Sequence, residues 1–160
     1  MTDKFYLDTI ANKLHGYPAD CSLDHIIPST FTSLTANQVE AFLNPPLTLA
    51  QVQTAQLATL TSAYKAACQQ PVSYLNTTFQ ADSNSQDTLN KVLVSDNGSI
   101  PAGFYWVDAN NNQISMNFVQ LQGLAMAMLT QGWTSFQHLQ TQKAAVRAAT
   151  TIQQVQEIAW

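Results

Sequence analysis

Apolar and polar residues recur along this chain with two periods, one near 3.6 and one near 2, and the switches between them mark the elements. Over Leu49 to Gln69 the stripe Val52, Gln56, Leu60, Ala63 and Ala67, flanked by Leu57 and Tyr64, has helical spacing and ends before Pro71. A longer pattern of the same kind, Phe118, Leu121, Ala125, Met128, Leu129, Phe136, Leu139 and Val146, predicts a helix over 118–148. Shorter helices are expected at 36–43, 84–95 and 152–158, the last followed by a folded-back Trp160. Two segments have strand character. In "VSYLNTTFQ", Val72 and Tyr74 are expected to pair with Thr78 and Gln80 around Asn76. In "FYWVDANNNQISM", β-forming aromatics are followed by a turn and then by Gln113 to Ser115. A loop, "DNGSIPAG", separates this segment from the preceding helix.

Helix starts are written in a repeated signature, a Ser, Thr or Asn cap with Gln three residues on, which satisfies orphan backbone donors reciprocally. It occurs at Thr35/Gln38, Thr48/Gln51, Ser83/Gln86, Asn117/Gln120 and Thr150/Gln153. Three of these add an apolar pair across the cap: Leu34 with Val39, Leu47 with Val52, and Met116 with Leu121. Pro45-Pro46 cannot continue the first helix and makes a joint. The expected organisation is a docking unit over 1–46 and a helical domain over 47–160. Gly123 and Gly132 each weaken the long helix by about 1 kcal/mol relative to Ala, so a kink or close contact is expected near Gly132. The fold class that follows is α+β, mainly helical, with two small β-hairpins packed on the two long helices.

Composition narrows the function. Charged residues are 10% of the 160, with a net charge of -4, and the six Lys and Arg are dispersed, so no phosphate-neutralising patch forms and nucleic acid is not an expected partner. No formally charged residue occurs from Ala109 to Gln142, but Asn117, Gln120, Gln122 and Gln131 break any apolar run long enough for a bilayer. No membrane partner is expected. The start "MTDKFYLDTI" lacks the basic-then-apolar pattern of a secretory signal, which makes the cytoplasm the expected compartment. Cys21 and Cys68 stand far apart without a CxxC and are expected as free thiols.

Chemistry-bearing motifs are sparse. Asp20, Cys21, Asp24 and His25 crowd together, but without a second half-site of metal-ligand spacing they read as a solvated turn, and His138 reads as structural. No nucleophile elbow, phosphate loop or paired carboxylates occur. The chain is therefore expected to be neither an enzyme nor a cofactor or metal carrier. Binding residues are sought instead among exposed aromatics and aliphatics. The N-terminal segment offers Phe5, Tyr6, Tyr17, Ile26, Ile27 and Phe31, more apolar side chains than so short a unit buries alone. Tyr105 is expected to face outward from a strand whose other face carries Phe104 and Trp106, one face being core and the other surface, and packing of all three in the core is the competing reading.

Two stretches carry a family resemblance. "KLHGYPADCSLDHIIPSTFTSLTANQVEAFLNPPLTLAQ" resembles the leading region of small bacteriophage tail fibre assembly proteins, in its Tyr-x-x-Asp turn, Ile-Pro-x-x-Phe segment, capped helix and Asn-Pro-Pro joint. Cys21 departs from the glycine more usual in that turn. "TTFQADSNSQDTL", "FYWVDANNNQISM", "LQGLAMAMLTQGW" and "KAAVRAATTIQQVQEI" are similar to a domain of unassigned function found near the C-termini of phage tail proteins. The resemblance implies a fibre assembly chaperone of the host cytoplasm, binding a trimeric tail fibre and aiding its folding or trimerisation. The alternative is an adaptor retained in the virion tail or baseplate as a fibre-attachment subunit. Association with a second copy of the chain is compatible with both.

Overall fold

The computed structural model describes residues 3–95 and 100–160. Part of the "DNGSIPAG" loop lies outside them. The chain divides into two compact units, 1–47 and 48–160.

In the first unit, β1 (Lys4–Asp8) pairs antiparallel with β2 (Lys13–Tyr17) on one side and β3 (Thr32–Leu34) on the other. The β1–β2 turn is held by Asp8, whose Oδ1 accepts from the backbone N–H of Ile10 at 2.9 Å and Ala11 at 3.0 Å, and it closes through Asn12 at φ 48°. Between β2 and β3 the chain makes a single 3-10 turn, Asp24–Ile26. The helix α1 (Ala36–Leu43) then starts on a complete capping box between Thr35 and Gln38. Among the described residues of this unit, Val39 alone is buried.

The second unit holds α2 (Leu49–Ala67), the hairpin β4 (Val72–Tyr74) and β5 (Thr77–Phe79), α3 (Ser83–Val94), the hairpin β6 (Tyr105–Val107) and β7 (Gln113–Ser115), α4 (Phe118–Ala148) and α5 (Ile152–Glu157). The fold is α+β and mainly helical. Its core has two parts, both served by α4. Val72, Phe79, Ala81, Leu89, Met116, Leu121, Leu124 and Met128 form the first, covered by Tyr74, Phe104, Trp106 and Ile114 from the two hairpins. Leu60, Leu139, Val146 and Val155 form the second, where α2 and α5 close on the far half of α4. Both hairpins thus join α3 and the near half of α4, while the α2 stripe serves the second part.

Several local expectations need correction. A three-stranded sheet, β2-β1-β3, accompanies the two expected hairpins. The first hairpin pairs Val72 with Phe79 and Tyr74 with Thr77, one residue off the expected register, because Leu75 and Asn76 are both left-handed (φ 50° and 57°) and make a two-residue turn. The cap of α3 is Asp82, not Ser83. Its carboxylate accepts from the Ser85 N–H at 2.9 Å and the Ser85 hydroxyl at 3.0 Å, which places Ser83 inside the helix. At α5 the box moves one residue, to Thr151 and Gln154. Gly132 has open space where a side chain would project, and the close approach occurs at Gly123, against Tyr74.

Glutamine, abundant in this sequence, closes helix ends from a distance. The last carbonyls of a helix lack intrahelical partners, and an amide can donate to two of them. Gln131 Nε2 of α4 donates to Ala67 O at 2.7 Å, in the last residue of α2, and to Gln70 O at 2.8 Å, just past it. Gln53 Nε2 of α2 donates to Val146 O and Ala149 O at 3.0 and 3.1 Å, at the end of α4. Gln86 Nε2 reaches Cys68 O and Ala81 O, and Gln56 Nε2 reaches Ile158 O. These four amides join α2, α3, α4 and α5 without any charge.

Candidate interaction surfaces

In β1 successive side chains point to opposite faces. Phe5 and Leu7 share one face with Leu14 and Leu34, and the Phe5 ring lies over Gly16, where a Cβ would come within 3.4 Å of it. Lys4, Tyr6 and Asp8 share the other with Lys13, His15 and Tyr17. On that face Tyr6 and Tyr17 meet edge to face, ring centroids 5.6 Å apart at 86°, and Phe31 lies against His15 at 4.8 Å. All four rings are half-buried, so each keeps surface toward water.

At one edge of this aromatic face Lys4 Nζ donates to Asp24 Oδ2 at 2.7 Å, Asp24 Oδ1 at 3.0 Å and Cys21 Sγ at 2.9 Å. The Asp24 hydrogen bond, followed by that to Cys21, holds the Lys4 ammonium charged well above its ordinary range. Asp24 is lowered by the same lysine, and Asp20 by hydrogen bonds from Ser22. Cys21 sits at φ 63°, in the left-handed region that disfavours a side chain, which accounts physically for glycine as the usual residue of such a turn. It is an exposed free thiol, and Cys68 a half-buried one.

The sequence-predicted binding residues separate. Tyr6, Tyr17 and Phe31 come together on one face, and Phe5 lies on the other. Ile26 is exposed in the 3-10 turn and Ile27 is half-buried. Tyr105 belongs to the second unit, where it is exposed on β6 opposite Ser115 while Trp106 turns inward. His15 and Lys4 join the aromatic face without having been expected there. The β1–β2 register alone places them there, and neither "KFYLD" nor "KLHGY" carries a clean apolar alternation that would have announced it.

The second unit carries a groove of about 570 Å³ lined by Tyr64, Leu89, Met128, Leu129, Trp133 and Phe136 among others. Its rim continues as a run of rings: Trp133 stacks on Phe136 at 5.8 Å, Phe136 meets Tyr64 at 6.3 Å, Tyr64 meets Trp160 at 6.4 Å, and Trp160 meets His138 at 4.8 Å. Trp160 is thus folded back, as expected.

Two carboxylates in this unit, Asp82 and Asp108, serve the backbone. Asp108 is buried at the β6–β7 turn, where it accepts from the Asn110 and Asn112 backbone N–H groups at 2.8 Å and from Asn112 Nδ2 at 2.9 Å. Those bonds, Asn112 first, lower its pKa, and the Ser85 bonds lower that of Asp82. Among the described residues no group of three or more His, Cys, Asp and Glu is arranged to hold a metal ion, and no helix is long and apolar enough to cross a membrane. Each unit presents aromatic and aliphatic surface, bordered in the first by Lys4, Asp8 and Lys13, and such surfaces suit macromolecular contact. No curated protein and no solved structure matches the chain. Residues 46–159 match the family model described as a domain of unknown function (DUF4376), and since that covers more than two thirds of the sequence, the chain belongs to this family.

Proposed function

We propose that this protein is a phage tail fibre assembly chaperone, which binds the fibre through its N-terminal unit and aids the fibre's folding or trimerisation in the host cytoplasm. The observation that carries the reading is the first unit's sheet, with Tyr6, His15 and Tyr17 on one face, Phe5 and leucines on the other, and Val39 alone buried among the unit's described residues. A sheet so little buried gains stability when another surface covers it. Tyr6, Tyr17 and Phe31 supply the kind of side chain on which interfaces concentrate their energy. The sequence resemblance to fibre assembly proteins over the same residues supports a tail fibre as the partner. No catalytic or cofactor-dependent step belongs to this function.

The test is coexpression of the cognate tail fibre with and without this protein. The expected result is a higher yield of soluble, trimeric fibre in its presence, with the protein absent or strongly substoichiometric in purified particles. Equal yields, together with a fixed copy number in mature particles, reject the chaperone and establish the retained adaptor.

A further inference from the structure

α4 is apolar on two sides. Leu121, Leu124, Met128, Leu139 and Val146 are buried toward the core. On the other side Val119, Met126, Leu129, Trp133 and Phe136 remain 72, 60, 64, 58 and 39% exposed. At 3.6 residues per turn these five fall within an arc of about 100°. With Gln122, Gln140 and Lys143 they form an unbroken series of alternating three- and four-residue steps from 119 to 143, the seam spacing of paired helices.

We propose that this seam is a self-association surface, on which α4 of one copy packs antiparallel against α4 of a second. The spacing gives the register. Centred at the level of Gln131, antiparallel pairing sets Met126 against Phe136, Leu129 against Trp133, Gln122 against Gln140, and Val119 against the aliphatic stem of Lys143. Apolar positions meet apolar ones, amide meets amide, and the thioether of Met126 meets a ring. A parallel pair would set Lys143 on Lys143 at the seam, whereas the antiparallel pair holds the two lysines about 36 Å apart along the axis.

Charge favours a copy of the same chain. The stretch from Ala109 to Gln142 has no formal charge, so pairing it with itself desolvates no ion and sets no like charges together. Area agrees. With on the order of 150–250 Å² for each aromatic and somewhat less for Val119, Met126 and Leu129, the five leave roughly 500 Å² in water per copy. Pairing two copies covers at most about 1,000 Å², the size of weak, transient interfaces, so the dimer is reversible.

Sedimentation equilibrium of the full chain over a concentration series tests this. The expected mass rises from one chain toward two, Leu129→Asp abolishes the rise with an unchanged circular dichroism spectrum, and Val94→Asp, at an exposed apolar position of α3, leaves it intact. In a Cys21→Ser, Cys68→Ser background, spin labels at Lys143→Cys are expected about 36 Å apart. A single-chain mass at all concentrations, which would mean that something other than a second copy covers the seam, overturns the proposal. So does a dimer insensitive to Leu129→Asp, or labels side by side.

Discussion

The hydroxyl of Tyr74 occupies the space where a side chain on Gly123 would begin, so hairpin β4–β5 reaches the backbone of α4 at a position that lacks a Cβ. Gly123→Ala is therefore expected to lower stability by up to about 2 kcal/mol, since overpacking of about 1–3 kcal/mol outweighs the roughly 1 kcal/mol that alanine returns to a helix interior. In a Tyr74→Leu background the obstacle is gone and the same substitution should become stabilising. Urea denaturation of the four proteins of this cycle checks the change of sign.

The amide of Gln131 supports the end of α2 through two carbonyls. Replacing it with alanine removes both bonds, leaves Ala67 O with the Gln70 N–H alone, and is expected to destabilise by about 1 kcal/mol. Gln137→Ala, at an exposed position of the same helix with no such bonds, should stay within about 0.5 kcal/mol. Equal effects in thermal unfolding would contradict the assignment of the glutamines as helix-end supports.

Acid should weaken the second unit through Asp82 and Asp108. Their hydrogen bonds stabilise the ionised form, so the folded pKa lies below the ordinary value near 3.9 and the unfolded chain binds more protons in between. The contribution is complete above about pH 5 and is lost as pH falls through the folded pKa. Trp106, Trp133 and Trp160 all lie in this unit, so tryptophan fluorescence isolates its unfolding. Melting temperatures should fall with acidification, and Asp108→Asn should flatten the slope. A melting temperature that rises below pH 4 would contradict this.

The joint at Pro45-Pro46 should let the units behave separately. Limited proteolysis is expected to cut near it and leave a folded 48–160 fragment with a fluorescence transition like that of the full chain. An unfolded fragment would place the boundary elsewhere.

What was legible in the sequence was chiefly local chemistry. Thr35, Thr48 and Asn117 announce their helices because a hydroxyl or amide oxygen and a glutamine three residues on satisfy each other's backbone without help from the rest of the fold. The pattern misplaced two caps where adjacent residues compete. Asp82 is a stronger acceptor than Ser83, and in Thr150-Thr151 both N–H groups reach Gln154. The β4–β5 register escaped because Leu75 adopts a left-handed conformation that its side chain does not advertise. The three-stranded sheet was hidden by short strands of mixed polarity, "KFYLD" and "KLHGY", whose two faces are both half-buried and so lack a clean apolar alternation. For the candidate surface, the residue types were legible but their sides were not, since only the β1–β2 register separates Phe5 from Tyr6 and Tyr17. The glutamine supports join residues as much as 102 apart and leave no local trace.

The most direct test of the proposed function is the yield of soluble trimeric fibre on coexpression with a Tyr17→Ser, Phe31→Ser variant, read beside the variant's own melting temperature. Half-exposed rings on one sheet face predict a fall in fibre yield to the level without this protein, at a melting temperature close to that of the natural chain. Full fibre yield from the variant would contradict the assignment of this face to the fibre.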